Sequence, residues 1–177
     1  MVLDPTLLLS KDEWKEIFKI NQNLNKKYIF LYSLTANPET LKYAQFISEE
    51  LKLPIIEVSG KRKTLKRFVK HKIFYDASPD LFVELLANSE IVITDSFHAT
   101  TFSIIFEKNF ITTIHKTRGD RIKDLLTKVN LLEHYTNEID RTLIHEIVDY
   151  KKIKEKMLKY RQESINYIER CINMKKG

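Results

Sequence analysis

The sequence predicts an α/β fold in which a mainly parallel sheet is flanked by helices, as in Rossmann-like domains. The first observation is that short apolar, β-branched or aromatic runs alternate with helical patterns of ten or more residues from Tyr28 to Val129. Such alternation implies right-handed crossover connections, which place successive strands parallel in one sheet. The second observation is size, because 177 residues suffice for one domain with its own core.

The pattern predicts a single Rossmann-like domain over residues 1–177. It divides into an N-terminal boundary segment with a helix at 1–27, an α/β core at 28–132 and a C-terminal helix at 150–175. Only three glycines and four prolines occur, which argues against repeats and long flexible linkers.

The first half of the chain begins with turn residues around Asp4, followed by a capping box in which Ser10 precedes Glu13 by three positions. A polar loop then leads to a strongly apolar run, and Pro38 is well suited to the first turn of a helix. We therefore expect a helix at Lys11–Lys19, a strand at Tyr28–Leu34, a helix at Pro38–Leu51 and a strand at Pro54–Val58.

The second half continues the alternation after a basic stretch, Gly60–Lys72, which is compatible with a loop or a short helix. Periodicity and capping residues predict the remaining elements. These are a short strand at Ile73–Tyr75, a helix opened by Ser78, a strand at Ile91–Thr94, a helix at Phe97–Lys108, a strand at Phe110–Ile114, a helix at Arg121–Val129 and a long helix from Tyr150 to Ile172.

Composition narrows the class of protein. Hydrophobic content of 43% and charged content of 31% are those of a soluble globule. One cysteine, Cys171, excludes an internal disulfide and fits a reducing compartment. The sequence contains no apolar run of roughly 20 residues and no signal-peptide pattern. We expect a cytoplasmic protein with at most peripheral membrane association.

The net charge is +6, and lysines and arginines concentrate in Lys61–Lys72 and in Lys151–Lys176, where acids are interleaved. A nucleic-acid-binding protein usually adds exposed aromatics or a reading helix to such charges, and neither is evident. We interpret the charges as solvated faces or as attraction for an anionic substrate, and we expect no nucleic-acid partner.

The segment from Ile91 to Thr101 is the most informative for function. A β-branched run ends in Asp95 and Ser96, and an amphipathic helix pattern follows at once. Ser96 is a favourable N-cap, so His98 should lie in the first helical turn above the carboxyl end of a strand. Unpaired amides and the helix dipole favour an anion there, and a histidine can transfer a proton. Asp95 and Ser96 could alternatively do no more than cap the helix.

A second turn, His115–Arg121, follows the next strand and should reach the same edge of the sheet. Gly119 would allow a tight turn, and three cations, Lys116, Arg118 and Arg121, could grip a phosphate or carboxylate. A small dianion such as an enol-phosphate would satisfy this combination, although the cations could also be loop charges.

Several other chemistries have no sequence support. The chain contains no Walker loop, GxGxxG fingerprint, GxSxG elbow or CxxC pair. The remaining histidines show no metal-type spacing with a cysteine or acid, so we interpret them as structural or surface residues. They are His71, His134 and His145. We expect no metal and no other cofactor.

Three segments of the sequence resemble the C-terminal half of the polysaccharide pyruvyl transferase family. The resemblance lies in Ile93–Phe106 (ITDSFHATTFSIIF), in the opening VLDPTLLL at Val2–Leu9 with Asp12-Glu13-Trp14, and in Lys116–Leu126 (KTRGDRIKDLL). It covers most of Val2–Leu132.

The resemblance implies a GT-B type architecture with two Rossmann-like halves facing across a cleft, of which this chain would be the C-terminal half. It also implies transfer of a pyruvyl group from phosphoenolpyruvate to sugar hydroxyls, forming a ketal and releasing phosphate. The partners would be phosphoenolpyruvate, a sugar or polysaccharide-precursor acceptor and a missing N-terminal domain. We therefore expect a fragment of a longer enzyme that is inactive alone.

By the same resemblance, the family's functional histidine corresponds to His98. Its basic phosphoenolpyruvate-binding position corresponds to Lys116 or Arg118. Many members have glycine at position 99, where the extra methyl of Ala99 could crowd an approaching phosphate. The predicted substrate-binding set is Asp95, Ser96, Ala99, Thr100, Lys116, Arg118 and Arg121.

Two other functions remain open. A nucleotide-sugar glycosyltransferase half-domain would need a ribose-binding acid near the helix start, for which Glu90 and Asp95 are the nearby candidates. A non-catalytic basic module would use Lys61–Lys72 and the C-terminal helix, and its binding to a polyanion would depend strongly on salt.

Overall fold

Five parallel strands form one sheet in a computed structural model that describes residues 2–21, 26–59, 70–114 and 119–174. The spatial order is β3-β2-β1-β4-β5, so the direction of chain progression reverses between β1 and β4. The strands are β1 (Ile29–Tyr32), β2 (Ile55–Val58), β3 (His71–Phe74), β4 (Ile91–Thr94) and β5 (Asn109–Thr112).

Helices follow the strands as the alternation predicts, and the α/β fold class is confirmed. The α-helices are α1 (Lys11–Phe18), α2 (Pro38–Leu51), α3 (Pro79–Ala87), α4 (Phe97–Ile105), α5 (Asp120–Val129), α6 (Arg141–His145) and α7 (Tyr150–Met174). Short 3₁₀ turns occur at Pro5–Leu8 and Leu132–His134.

Local sequence signals account for several helix starts. The predicted capping box is present, since the Ser10 hydroxyl accepts from the Glu13 amide and the Glu13 carboxylate accepts from the Ser10 amide. Pro38 occupies the first turn of α2, and the Asn37 side chain caps it by accepting from the Glu39 amide.

The sheet has an apolar core on each face. On one face the central strands pack against α2 and α6 through side chains that include Ile29, Ile93 and Ile47. On the other face Phe30 and Phe110 pack against α3, α4, α5 and the start of α7. Burying one aliphatic or aromatic side chain of this size contributes about 1.5–3 kcal/mol to the stability of the fold. The packing on both faces therefore stabilises the sheet and the positions of its strand ends.

The C-terminal helix α7 lies against the N-terminal segment. The Leu3 amide donates to the Ser164 hydroxyl at 3.0 Å, and Arg161 pairs with Glu13 at 2.7 Å. These contacts anchor residues 3–13 to the body of the domain. Among the described helices, none combines the length and apolar character that crossing a bilayer requires.

The structure corrects the extent of several elements. The first strand is Ile29–Tyr32 rather than Tyr28–Leu34, because its pairing with both neighbours extends over four residues. The third strand begins at His71 rather than Ile73. The helix after β4 stops at Ile105 rather than Lys108, because Glu107 adopts a left-handed backbone with φ of 57°. Most of the basic stretch, residues 60–69, lies outside the described residues.

Candidate functional site

A cleft of about 870 Å³ lies at the carboxyl ends of the strands, next to the β1–β4 reversal. Open α/β sheets bind their ligands at this kind of topological switch point. Its lining includes residues that follow four successive strands, namely Leu34, Ser59, Ala77 and Ser96. Trp14 of α1 lines the same cleft, so the N-terminal segment contributes to its wall.

Asp95 joins the two strands that flank the reversal. It follows β4 directly and is almost fully buried. Its carboxylate accepts from the Ser33 hydroxyl at 2.8 Å and from the Leu34 amide at 2.9 Å, both in the loop after β1. Two donors hold the carboxylate in place. Asp95 therefore connects the end of β4 to the loop after β1, and it also lines the cleft.

A network of threonine hydroxyls fixes the start of α4 to the sheet. The Thr94 hydroxyl donates to the Tyr32 carbonyl at 2.6 Å and accepts from the Ser96 amide at 3.0 Å. The Thr100 hydroxyl donates to the Ser96 carbonyl at 2.9 Å and lies 2.8 Å from the Thr112 hydroxyl. The strand ends and the helix start therefore form one hydrogen-bonded unit.

His98 lies in the first turn of α4, as predicted, and its side chain is exposed in the cleft. Ser96 occupies the N-cap position, but its hydroxyl makes no capping hydrogen bond. Within the described part of the chain, the amides of Phe97, His98 and Ala99 have no acceptor. The helix start therefore presents free donors and the positive end of its dipole.

Arg121, in the first turn of α5, lies beside this helix start and lines the same cleft. Its guanidinium carbon is 4.1 Å from the centroid of the Phe97 ring, and its Nη2 is 2.7 Å from Asp4 Oδ2. The stacking and the ion pair orient the guanidinium, although its side chain stays 64% exposed.

Asp4 also interacts electrostatically with His98. Burial raises the pKa of Asp4, but hydrogen bonds from Thr6 and the charges of His98 and Arg121 together lower it by more. The net pKa of Asp4 is therefore below its ordinary value. Asp4 is therefore a carboxylate at neutral pH, and it lies close to Arg121 and interacts with His98. In the sequence, Asp4 stands among turn residues and within the family-like segment Val2–Leu9, and neither feature marks it as a residue beside the cleft.

Two predicted substrate-binding side chains do not reach the cleft. Ala99 is fully buried in the core, and Thr100 is buried with its hydroxyl engaged in the network above. The part of Ala99 that could still contact a ligand is its backbone amide, which lies in the first turn of α4. Lys116 and Arg118 lie outside the described residues.

Tyr32 is a further polar residue of the cleft that the sequence analysis did not select. Burial, reinforced by the nearby charge of Asp95, raises the pKa of its phenol. The hydroxyl therefore remains protonated near neutral pH and can donate a hydrogen bond. As part of an apolar strand pattern, Tyr32 looked like an ordinary core residue.

The family model for "Polysaccharide pyruvyl transferase" matches residues 1–117. The chain belongs to this family. The match includes the β4 strand, the α4 helix start and His98, so the family resemblance predicted from the sequence is confirmed. No functionally curated protein shows significant similarity to this pyruvyl transferase family chain.

Solved structures show the fold of this family member in other proteins. UDP-GlcNAc 2-epimerase of Methanocaldococcus jannaschii, crystallised with UDP-GlcNAc and UDP, is 20% identical, with a TM-score of 0.55 over 94% of this chain. The glycosyltransferase SnogD of Streptomyces nogalater is 13% identical, with a TM-score of 0.49 over 93% of this chain. The chain spans 48% and 41% of their respective lengths. The predicted relation to GT-B type folds is confirmed.

Proposed function

We propose that this domain supplies the phosphoenolpyruvate side of the active site of a ketal-forming pyruvyl transferase. The single observation that carries the proposal is the convergence of His98, Arg121 and the free amides of the α4 start on one cleft. The helix N-terminus and the guanidinium can bind the phosphate and carboxylate of a small anionic substrate. The imidazole can transfer a proton to or from it.

The anionic groups of the donor have complementary partners. The amides of residues 97–99 would bind phosphate oxygens along the axis of α4, and Arg121 would contact the phosphate or carboxylate from the side. The aromatic walls around them, Trp14, Phe82 and Phe102, reduce access of water. A drier site strengthens each of these electrostatic interactions. Lys116 and Arg118, from the family motif, remain proposed further contacts.

His98 would move the protons that the reaction requires. Protonation of the methylene carbon of phosphoenolpyruvate creates the methyl group and leaves an electron-poor central carbon. Two acceptor hydroxyls then add to that carbon, and the C–O bond to phosphate breaks. One hydroxyl proton ends on the methyl group and the other leaves with phosphate, so a single exchangeable imidazole can both receive and deliver protons.

The acceptor sugar would approach across the open side of the cleft. A second α/β domain facing this one would complete the active site, which agrees with the chain spanning 48% of the epimerase. We propose that the pyruvyl group passes from donor to acceptor in the cleft between the two domains. The reaction would belong to a pathway that builds a cell-associated or exported polysaccharide.

The residues that a nucleotide-sugar glycosyltransferase would need are poorly placed. Glu90 precedes β4, at the amino end of the strands, where it pairs with Lys27 at 3.1 Å. Asp95 is buried and holds Ser33 and Leu34. Neither acid is free to bind a ribose beside the start of α4, so the structure favours the pyruvyl donor.

The test is donor selectivity and product formation by the intact protein. Phosphoenolpyruvate labelled with ¹³C at its central carbon is incubated with a panel of hexosides, and ketal and inorganic phosphate are measured by NMR. We expect equal amounts of both products, and binding of phosphoenolpyruvate that UDP does not displace. Binding of UDP without phosphoenolpyruvate, or sugar transfer from a UDP-sugar, would contradict the proposal.

A further inference from the structure

We propose that Glu133, His134 and Glu146 form a binding site for a divalent transition-metal ion, with Zn²⁺ as the best match. Their potential ligand atoms all lie within 4.8 Å of one another. None of the three residues lines the cleft described above. This site is therefore independent of the proposed transferase chemistry.

His134 provides the strongest evidence because its ring is fully buried and rigidly held. The ring stacks on Phe110 with centroids 4.9 Å apart, and Nδ1 lies 2.8 Å from the Phe110 carbonyl oxygen. A carbonyl can only accept, so Nδ1 carries a proton and donates. This hydrogen bond occupies Nδ1 and leaves Nε2 as the ring nitrogen that can bind a metal, and metal-binding histidines are commonly oriented in this way by a backbone carbonyl.

Nε2 of His134 is buried and has no hydrogen-bond partner among the described residues. A buried polar atom without a partner costs free energy. The atom faces Glu146 Oε2 at 3.6 Å, which is too long for a hydrogen bond. A lone pair facing a carboxylate across such a gap is unfavourable, and a metal ion between the two atoms would relieve the repulsion.

The spacing suits a metal ion. Two ligand atoms about 2.1 Å from a tetrahedral zinc ion are separated by about 3.4 Å, close to the 3.6 Å between His134 Nε2 and Glu146 Oε2. Glu133 supplies a third ligand from the neighbouring position. One imidazole with two carboxylates favours Zn²⁺ or a similar transition metal, whereas Ca²⁺ and Mg²⁺ prefer sites made entirely of oxygen.

Such an ion would join two parts of the chain that are far apart in sequence. Glu133 and His134 lie in the 3₁₀ turn after α5, whereas Glu146 lies between α6 and α7. A metal held by both segments would fix the start of α7 against the β5 edge of the sheet. Binding to the folded state alone would also raise stability by mass action.

The experiment uses Zn²⁺ itself on protein stripped with a chelator. Isothermal titration calorimetry should show one equivalent bound, and thermal unfolding should shift upward by several degrees. We expect E133Q and E146Q each to weaken zinc binding at least tenfold. Both side chains are solvent-accessible, so these variants test the site without disturbing the core.

His145→Ala is the matched control because it removes an exposed histidine one position before Glu146. The control should bind zinc like the wild type. Absence of zinc binding by the wild type would overturn the site. Binding that persists unchanged in a double E133Q, E146Q variant would also overturn it.

Discussion

The carboxylate of Asp4 lies 2.7 Å from the guanidinium of Arg121, although 117 positions separate them in the chain. Asp4 also interacts electrostatically with His98. The N-terminal segment thus contributes to the cleft in two ways, since Trp14 lines it and Asp4 orients Arg121. This relationship gives residues 3–14 a positioning role in the proposed anion site.

Substitution of Asp4 by asparagine should loosen Arg121 without removing it. We expect the KM for phosphoenolpyruvate to rise several-fold while kcat changes little, because a partly exposed ion pair contributes at most about 1 kcal/mol. Steady-state kinetics of the intact protein measure both constants. The control is Glu50→Gln, which breaks a similarly exposed pair with Arg141 outside the cleft. A KM unchanged by D4N, or raised equally by E50Q, would remove the positioning role.

Substitution of His98 by glutamine should separate chemistry from folding. Because the side chain is exposed, we expect unfolding stability to change by less than about 0.5 kcal/mol. Loss of a proton-transfer group should lower kcat by about 10²–10⁴-fold. Ketal formation and thermal melting check the two expectations together. A variant that retains wild-type turnover would exclude His98 as the acid/base.

Asp95→Ala should act mainly on stability. The substitution leaves the Ser33 hydroxyl and the Leu34 amide without their acceptor, and we expect a loss of about 2 kcal/mol in the free energy of unfolding. Urea denaturation measures the loss. Asp120→Ala, at an exposed aspartate of the same cleft, should cost much less. Equal stability of the two variants would show that Asp95 does not bridge β1 and β4.

Glu13→Gln should produce a stability difference that depends on pH. Hydrogen bonds from Ser10 and the pairing with Arg161 lower the pKa of Glu13 to about 2, from a usual value near 4.3. A lowered carboxyl pKa stabilises the fold above the unfolded-state value, and this contribution disappears as pH falls through about 2. The variant should therefore melt earlier than wild type at pH 7, and the gap should close between about pH 4 and 2.

The control for this titration is Glu16→Gln, at an exposed glutamate of the same helix. It should leave the melting temperature close to that of the wild type at each pH. A gap between wild type and E13Q that stays constant down to pH 2 would show that the Glu13 charge contributes nothing to stability.

The sequence predicts the order of helices and strands because residues that pack in the core must be apolar, and their spacing differs between a helix and a strand. It could not predict where strands end. Strand limits depend on pairing with neighbours distant in sequence, as the four-residue register of Ile29–Tyr32 illustrates. His71 could not be predicted as a strand residue, because a histidine in a basic stretch gives no sign of burial. It is buried next to Glu57 of the adjacent strand, with its Nε2 2.9 Å from Glu57 Oε2.

The same limit applies to the candidate site. The position of His98 followed from local signals, a strand end and an N-cap residue. Arg121 was found from its cationic type, but its partner Asp4 required the fold. His134 and Glu146 show no metal-type spacing, because their approach depends on how α6 and α7 return to the sheet. Ala99 and Thr100 were assigned as part of the family-like motif around His98, but helix periodicity turns their side chains inward.

In the proposed function, phosphoenolpyruvate binds at the start of α4, beside His98 and Arg121. Titration of phosphoenolpyruvate into ¹⁵N-labelled intact protein, followed by amide chemical shifts, tests it most directly. We expect saturable shifts that are largest at the amides of residues 97–99 and that are lost in Arg121→Ala. Largest shifts instead around Lys11, Lys154 and Arg161, which line a separate cavity of about 340 Å³ beneath α7, would contradict it.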